Sequence, residues 1–130
     1  MIKQMYVVKV LWKRGIWRRI QLSSGHTLHD LHKVILEAYE FDDDHLYAFF
    51  MEGKPWRGEA YWSPQNDEGP YADKIKLGSL NLEVKKRFLY LYDFGDEWTF
   101  SVQVGKIVET DAPVLKPMIL ESRGEAPEQY

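Results

Sequence analysis

Between Met5 and Trp12 the side chains Met5, Val7, Lys9 and Leu11 alternate with Tyr6, Val8, Val10 and Trp12. Period-two alternation among β-branched and aromatic types predicts a strand. Lys13-Arg14-Gly15 follows as a turn whose glycine can take a positive φ, and Ile16 to Leu22 resumes the extended pattern, so the chain opens with a hairpin. Ser24-Gly25-His26-Thr27 interrupts it, with Thr27 placed to cap a helix and Asp30 three residues on. Leu28, Leu31, Ile35 and Ala38 or Tyr39 then share one helical face, widened by Val34, while His29, Lys33, Glu37 and Glu40 point away. The helix is predicted to end near Phe41, because Asp42-Asp43-Asp44 opposes a helix C-terminus and suits a turn.

His45 to Met51 is apolar on both faces, which predicts a strand inside the sheet. Gly53 to Asp73 sets Pro55, Gly58, Pro64, Gly69 and Pro70 among Trp56, Tyr61, Trp62 and Tyr71, and predicts a long loop with at most one short strand around Glu59 to Trp62. Leu77, Leu80 and Leu82 anchor an irregular or helical turn. Arg87 to Asp93 and Glu97 to Val104 make a second hairpin about Phe94-Gly95-Asp96, with Trp98, Phe100, Val102 and Val104 alternating with Thr99, Ser101 and Gln103. Leu89, Leu91, Trp98 and Phe100 are expected to share one core with Leu31 and Ile35. Beyond Glu109 three prolines leave room for a short edge strand around Met118 to Leu120, with residues 121–130 extended or disordered. The whole pattern predicts one α+β domain over residues 1–130: a mixed β-sheet with ββα opening topology, one main helix on one face, and a β-grasp-like arrangement.

At 130 residues, 45% apolar and 15% aromatic, the chain has material for one core dominated by large rings. It contains no cysteine, which excludes disulfides, thiolate nucleophiles and cysteine-held zinc, and favours a reducing, cytoplasmic setting. The longest apolar run, Leu46 to Met51, is far below the roughly 20 residues of a membrane-spanning helix, and the N-terminus lacks the apolar stretch of a signal peptide. The net charge of −3 is unevenly spread. Six Lys or Arg precede Asp30 with no acid among them; setting those six aside from the 17 basic residues leaves 11 against 20 acids. Such a charge dipole steers partners.

The segments Thr27-Leu28-His29-Asp30-Leu31-His32, His45-Leu46-Tyr47-Ala48-Phe49 and Tyr90-Leu91-Tyr92-Asp93-Phe94-Gly95-Asp96-Glu97-Trp98 carry a resemblance. From about Val8 to Glu121 the chain resembles the plasmid Ri open-reading-frame-three family, whose members share a T-L-x-x-L-H helix start, an H-L-x-x-F strand and a Y-D-F-G-D-x-W hairpin. His32, His45, Asp93, Gly95, Asp96 and Trp98 fall on these motifs. The resemblance implies a small α+β fold and a setting on plasmids or beside mobile elements. It also implies a continuation with a cysteine and a P-P-E-D stretch, where this chain has Ala126-Pro127-Glu128-Gln129-Tyr130. Some members carry a resolvase-like label, which demands an activated nucleophilic serine among arginines, and no serine of this chain stands in that setting.

Three constellations carry candidate chemistry. Trp12, Lys13, Arg14, Trp17, Arg18 and Arg19 interleave rings and cations on the first hairpin, a pattern suited to phosphate contacts and base stacking, or to a protein partner. Asp93, Asp96 and Glu97 gather hard oxygen ligands around one turn, where a divalent metal such as magnesium or manganese can activate water; the same acids can instead hold the turn by accepting backbone N–H bonds. His29 and His32 sit three residues apart on the helix and, with His26 and His45, offer imidazoles for a shared metal or for ordinary hydrogen bonds. The leading expectation is a noncatalytic interaction module that uses the basic hairpin, with no cofactor and no membrane partner. The competing expectation is a divalent-metal-dependent hydrolase built on Asp93, Asp96 and Glu97.

Overall fold

Burial alternates residue by residue along β1 (Lys3–Lys13) and β2 (Ile16–Ser23), which pair antiparallel through a turn closed by Gly15 at φ +84°. Leu11 opposite Trp17 and Lys9 opposite Arg19 line one face, while Val8 opposite Ile20 and Val10 opposite Arg18 line the other, so the pleat divides the hairpin between two faces. The computed structural model describes residues 3–111 and 116–130; the part of the C-terminal segment at 112–115 lies outside the described residues.

Helix α1 (Leu28–Tyr39) starts where Thr27 Oγ1 accepts from Asp30 N at 3.1 Å and Asp30 Oδ2 accepts from Thr27 N at 2.9 Å, a reciprocal capping box. It ends at Glu40, whose φ of 59° breaks the helix, and Phe41 N returns to Leu36 O. No basic residue occupies its last turn. Arg18 serves instead, reaching from β2 to donate through Nε to Ala38 O at 3.0 Å, where the helix C-terminus is negative.

β3 (Tyr47–Phe50), β4 (Ala60–Trp62), β5 (Arg87–Tyr92), β6 (Trp98–Thr110) and β7 (Met118–Arg123) complete a seven-stranded sheet in the order β4-β3-β5-β6-β1-β2-β7. Short 3-10 turns at Ala72–Lys74 and Leu77–Leu80 bridge β4 to β5. Strand β6 runs six residues past Val104, because the register skips Gly105 and resumes at Lys106 opposite Val7.

This architecture corrects the expected fold class. The chain is 44% strand and 15% helical, nearly all sheet rather than a balanced α+β domain. The sheet is not mixed: among the described residues all six strand pairs are antiparallel, without the parallel pairing of a β-grasp arrangement. The physical reason lies in the connections. Parallel neighbours need a crossover, usually helical, and the one α-helix among the described residues lies between β2 and β3, which are not neighbours in the sheet.

Leu28, Leu31, Ile35 and Tyr39 of α1 pack on Tyr6, Val10, Ile20, Phe100 and Val102. Each fully buried aliphatic contributes about 1.5–3 kcal/mol. Leu89 and Leu91 do not join them. They alternate with Tyr90, which faces α1, so they point to the opposite side; Leu91 there forms a second cluster with Ala48 and Phe50, packed by Trp62, Leu89 and Phe94. Trp98 is half-buried against the main core.

Candidate functional site

The three motif segments converge at one end of the sheet. Asp93, buried and at φ 66°, accepts from Gly95 N at 3.0 Å and Asp96 N at 3.3 Å through Oδ1, while its backbone carbonyl accepts from Glu97 N at 2.6 Å. Its Oδ2 stands 3.3 Å from His45 Nε2. Glu97 Oε1 accepts from Trp56 Nε1 at 3.1 Å, and Asp96 is exposed. The carboxylates of Asp93 and Glu97 are therefore spent on separate partners. Among the described residues no three His, Cys, Asp or Glu side chains converge as a metal would need.

His32 is sealed from solvent and stacked on Tyr47 with ring centroids 3.7 Å apart. Its Nδ1 lies 2.6 Å from Tyr90 Oη and its Nε2 lies 3.1 Å from Asp43 Oδ1. Burial pushes the imidazole down to about 4, against the smaller opposing pull of Asp43, and burial also raises the Tyr90 and Tyr47 phenols. With both phenols protonated and His32 neutral, one arrangement satisfies every group: Tyr90 donates to Nδ1, and Nε2–H donates to Asp43. His29 Nδ1 meets Tyr47 Oη at 2.6 Å. His29, His32, Asp43, Asp44, His45, Leu46 and Gln65 line a cleft of about 500 Å³. Tyr130 Oη donates to Asp44, holding its carboxyl below the usual range, and Gln129 bonds the backbone of Asp42, so the C-terminal residues are tied to this rim.

The basic hairpin is divided by the pleat. Arg18 is buried on the helix side, over the Tyr39 ring at 4.6 Å, donating to Ala38 O and, through Nη1, to Trp17 O and Arg123 O, each at 2.8 Å. It is a structural arginine and cannot meet a phosphate. Trp12 also turns inward, 5.7 Å from Trp98, with Lys13 Nζ above it at 4.5 Å. Arg14 stands exposed at the turn. Trp17 and Arg19 face the other way, and Lys9 Nζ and the Arg19 guanidinium each lie 4.9 Å from the Trp17 ring.

That other face carries no helix among the described residues. Across it the register sets Arg87 opposite Gln103, Gln103 opposite Lys9, Lys9 opposite Arg19, and Arg19 opposite Glu121, a row running through β5, β6, β1, β2 and β7. A neighbouring row sets Leu89, Ser101, Leu11, Trp17 and Arg123 side by side, and Lys106 lies opposite Val7 on the same face. Arg87, Lys106 and Arg123 are exposed, and Arg19 pairs with Glu121.

A family model described as plasmid pRiA4b ORF-3-like protein matches residues 4–129. The chain belongs to this family. A relative from Sinorhizobium fredii (strain NBRC 101917 / NGR234), the uncharacterized protein y4hQ, is 32% identical over a match covering 86% of this chain; the chain spans only 57% of that relative's length. A crystal structure of the protein of unknown function MM3350 from Methanosarcina mazei Go1 superposes with a TM-score of 0.79 at 30% identity, covering 99% of this chain and 74% of that one. The pRiA4b ORF-3-like motif residues His32, His45 and Asp93 are thus the ones that build the histidine cleft and its supporting turn.

Sequence reading missed Lys9, which faces Arg19 across the same hairpin, and Arg87, Lys106 and Arg123, which share the face of Trp17 but come from strands far apart in the chain. Alternation along β1 and β5 already carried a signal, since Lys9 and Arg87 occupy the phase opposite to Val8, Val10 and Phe88. It also missed Tyr90 and Asp43, which fix the tautomer of His32, and Tyr47, which stacks on its ring.

Proposed function

We propose that this protein is a noncatalytic module that holds single-stranded nucleic acid across the open face of its sheet. The observation that carries the reading is the cross-strand set Arg87, Lys9, Arg19, Lys106 and Arg123, which shares with the half-buried Trp17 ring a face that no helix covers among the described residues. Adjacent strands lie about 4.8 Å apart, so Arg87 and Arg19, three strand steps from each other, span about 14 Å. Flexible cations at that spread meet successive phosphates of one strand, and the half-buried indole offers a base a stacking surface once Lys9 and Arg19 swing from its ring to the phosphates. The net charge of −3 limits affinity, because the acidic remainder of the chain repels the same polymer.

Two to four phosphate contacts give a log–log salt slope of roughly −0.7 per contact, so binding should be clear near 20 mM salt and fade toward physiological ionic strength. Fluorescence polarisation with a labelled oligonucleotide, single-stranded RNA or DNA, measures this. Lys9→Glu with Arg87→Glu should flatten the slope and weaken binding while circular dichroism stays unchanged. Absence of any polarisation change for the unmodified protein at 20 mM salt, or equal binding by the doubly reversed variant, overturns the reading.

A further inference from the structure

At the far end of the same sheet face, the chemistry changes from cationic to aromatic and acidic. Phe50, buried in β3, is the floor for Trp56 and Trp62, with ring centroids 5.6 Å from each. Phe94 closes the group, 5.1 Å from Trp56 at 70° and 5.9 Å from Trp62 at 87°. Trp56, Trp62 and Phe94, together with Asn66, Asp67 and Glu68, line a cleft of about 450 Å³. The two indoles lie 6.0 Å apart and are inclined by 32°, with Phe94 steep to both, so the group presents π faces and a ring edge together, and the faces attract cations.

Two features set this cleft apart from an ordinary hydrophobic lid. The first is Trp56, which is 49% exposed and held at φ +62°, a left-handed conformation that bulky side chains rarely adopt. Its indole N–H is fixed by Glu97 Oε1 at 3.1 Å, which settles the orientation of the ring. The second is the acidic rim. Tyr71 Oη donates to Asn66 O at 3.0 Å and Asp67 O at 3.2 Å, Asn66 Nδ2 donates to Glu68 O at 2.8 Å, and Trp62 N donates to Pro70 O at 2.8 Å. These bonds fix the backbone of the rim loop, and neither the Asp67 nor the Glu68 carboxylate is paired with a cation among the described residues.

We propose that this cleft is a binding site for an alkylated ammonium ion, with the trimethylammonium group as its preferred ligand. A trimethylated nitrogen has a diffuse charge and a greasy surface, so it gives up water readily and suits aromatic faces, with carboxylates at the rim supplying long-range attraction. A primary ammonium is strongly hydrated and loses more than the rings return. An anionic ligand is excluded by Asp67 and Glu68. The site is independent of the basic face, since none of its lining residues belongs to that set.

Isothermal calorimetry with choline tests the inference, with the uncharged isostere 3,3-dimethyl-1-butanol and with ammonium chloride as controls. The expected result is saturable choline binding with the neutral isostere weaker by about tenfold or more, the size of one or two cation–π contacts. Trp56→Ala, at a half-exposed position, should remove most of that selectivity, Trp56→Phe should keep part of it, and Asp67→Asn should weaken binding severalfold and make it less salt-dependent. A trimethyllysine peptide run beside choline separates the sources of the same group: tighter binding by the peptide marks a modified protein as ligand, and tighter binding by choline marks a free metabolite. No heat and no shift of the tryptophan indole resonances at 50 mM choline, equal affinity for the isostere, or unchanged binding by Trp56→Ala overturns the proposal.

Discussion

On the face that carries α1, Val10, Ile20, Phe100 and Val102 are completely sealed, whereas on the opposite face Leu11, Trp17 and Leu89 reach only half burial beside exposed Arg87, Lys106 and Arg123. Both sets come from the same strands and differ by one residue in phase. Arg18 and Arg19 put the contrast into adjacent positions: the first spends its guanidinium on backbone carbonyls beneath the helix, the second lies over an indole and pairs with Glu121. One helix has apolar surface for one side of a sheet. The other side is covered only at its β3–β4 end, by the aromatic loop, and stays open elsewhere with long cationic side chains whose stems shield it and whose heads remain in water.

Truncation separates the two faces most sharply. Ile35→Ala or Phe100→Ala should cost about 2–5 kcal/mol, whereas Leu11→Ala on the open face should cost about 1 kcal/mol or less, all read from urea melts. Equal costs for Ile35→Ala and Leu11→Ala would abolish the distinction.

The histidine buried under the helix predicts a pH dependence that the open face lacks. His32 titrates near 6.5 when unfolded but is pushed down to about 4 in the fold by burial. The unfolded chain therefore binds the extra proton in that window, and the group's contribution, complete above pH 6.5, is lost as pH falls through about 4. The loss approaches about 3 kcal/mol. His32→Gln should remove this component, so parallel pH profiles for the variant and the unmodified protein between pH 7 and 4 would refute the assignment.

Removing Arg18 strands three backbone carbonyls. Arg18→Ala should cost about 1.5–3 kcal/mol, while Arg19→Ala, which ends a surface ion pair, should cost under about 1 kcal/mol. A thermal-melt ranking in the reverse order would mean the pleat does not sort these neighbours as described. The smallest effect concerns the acidic turn. With Asp93 already accepting from Gly95 and Asp96, millimolar magnesium or manganese should shift the melting temperature by less than about 1 °C, and Asp96→Asn should be neutral within about 0.5 kcal/mol. A clear rise with either ion that Asp96→Asn removes would restore a metal at this turn.

Much of this was legible in the chain itself because the information is local. Thr27 and Asp30 announce the capping box, Gly15 the hairpin turn, and the 3.6-residue spacing of Leu28, Leu31 and Ile35 the helix face, each within a few residues of the group it satisfies. The phase of alternation in β1, β2 and β6 likewise separates buried from exposed positions without reference to any other strand.

Which strands become neighbours is not local. That β5 and β2 flank the β6–β1 pair, so that Arg87 and Arg19 lie on one row, follows from closing long loops around a shared core, and the same closure fixes the direction of every pair as antiparallel. Apolarity does not state which face Leu91 serves; Tyr90, with its hydroxyl needed by His32, takes the helix side and turns Leu91 to the other. Asp43, one of three consecutive aspartates, becomes the partner of a buried imidazole only when α1 docks. Residue types and their periods determine what each segment can bury, whereas the competition of distant segments for one helix-covered face decides which groups are left at the surface to meet a ligand.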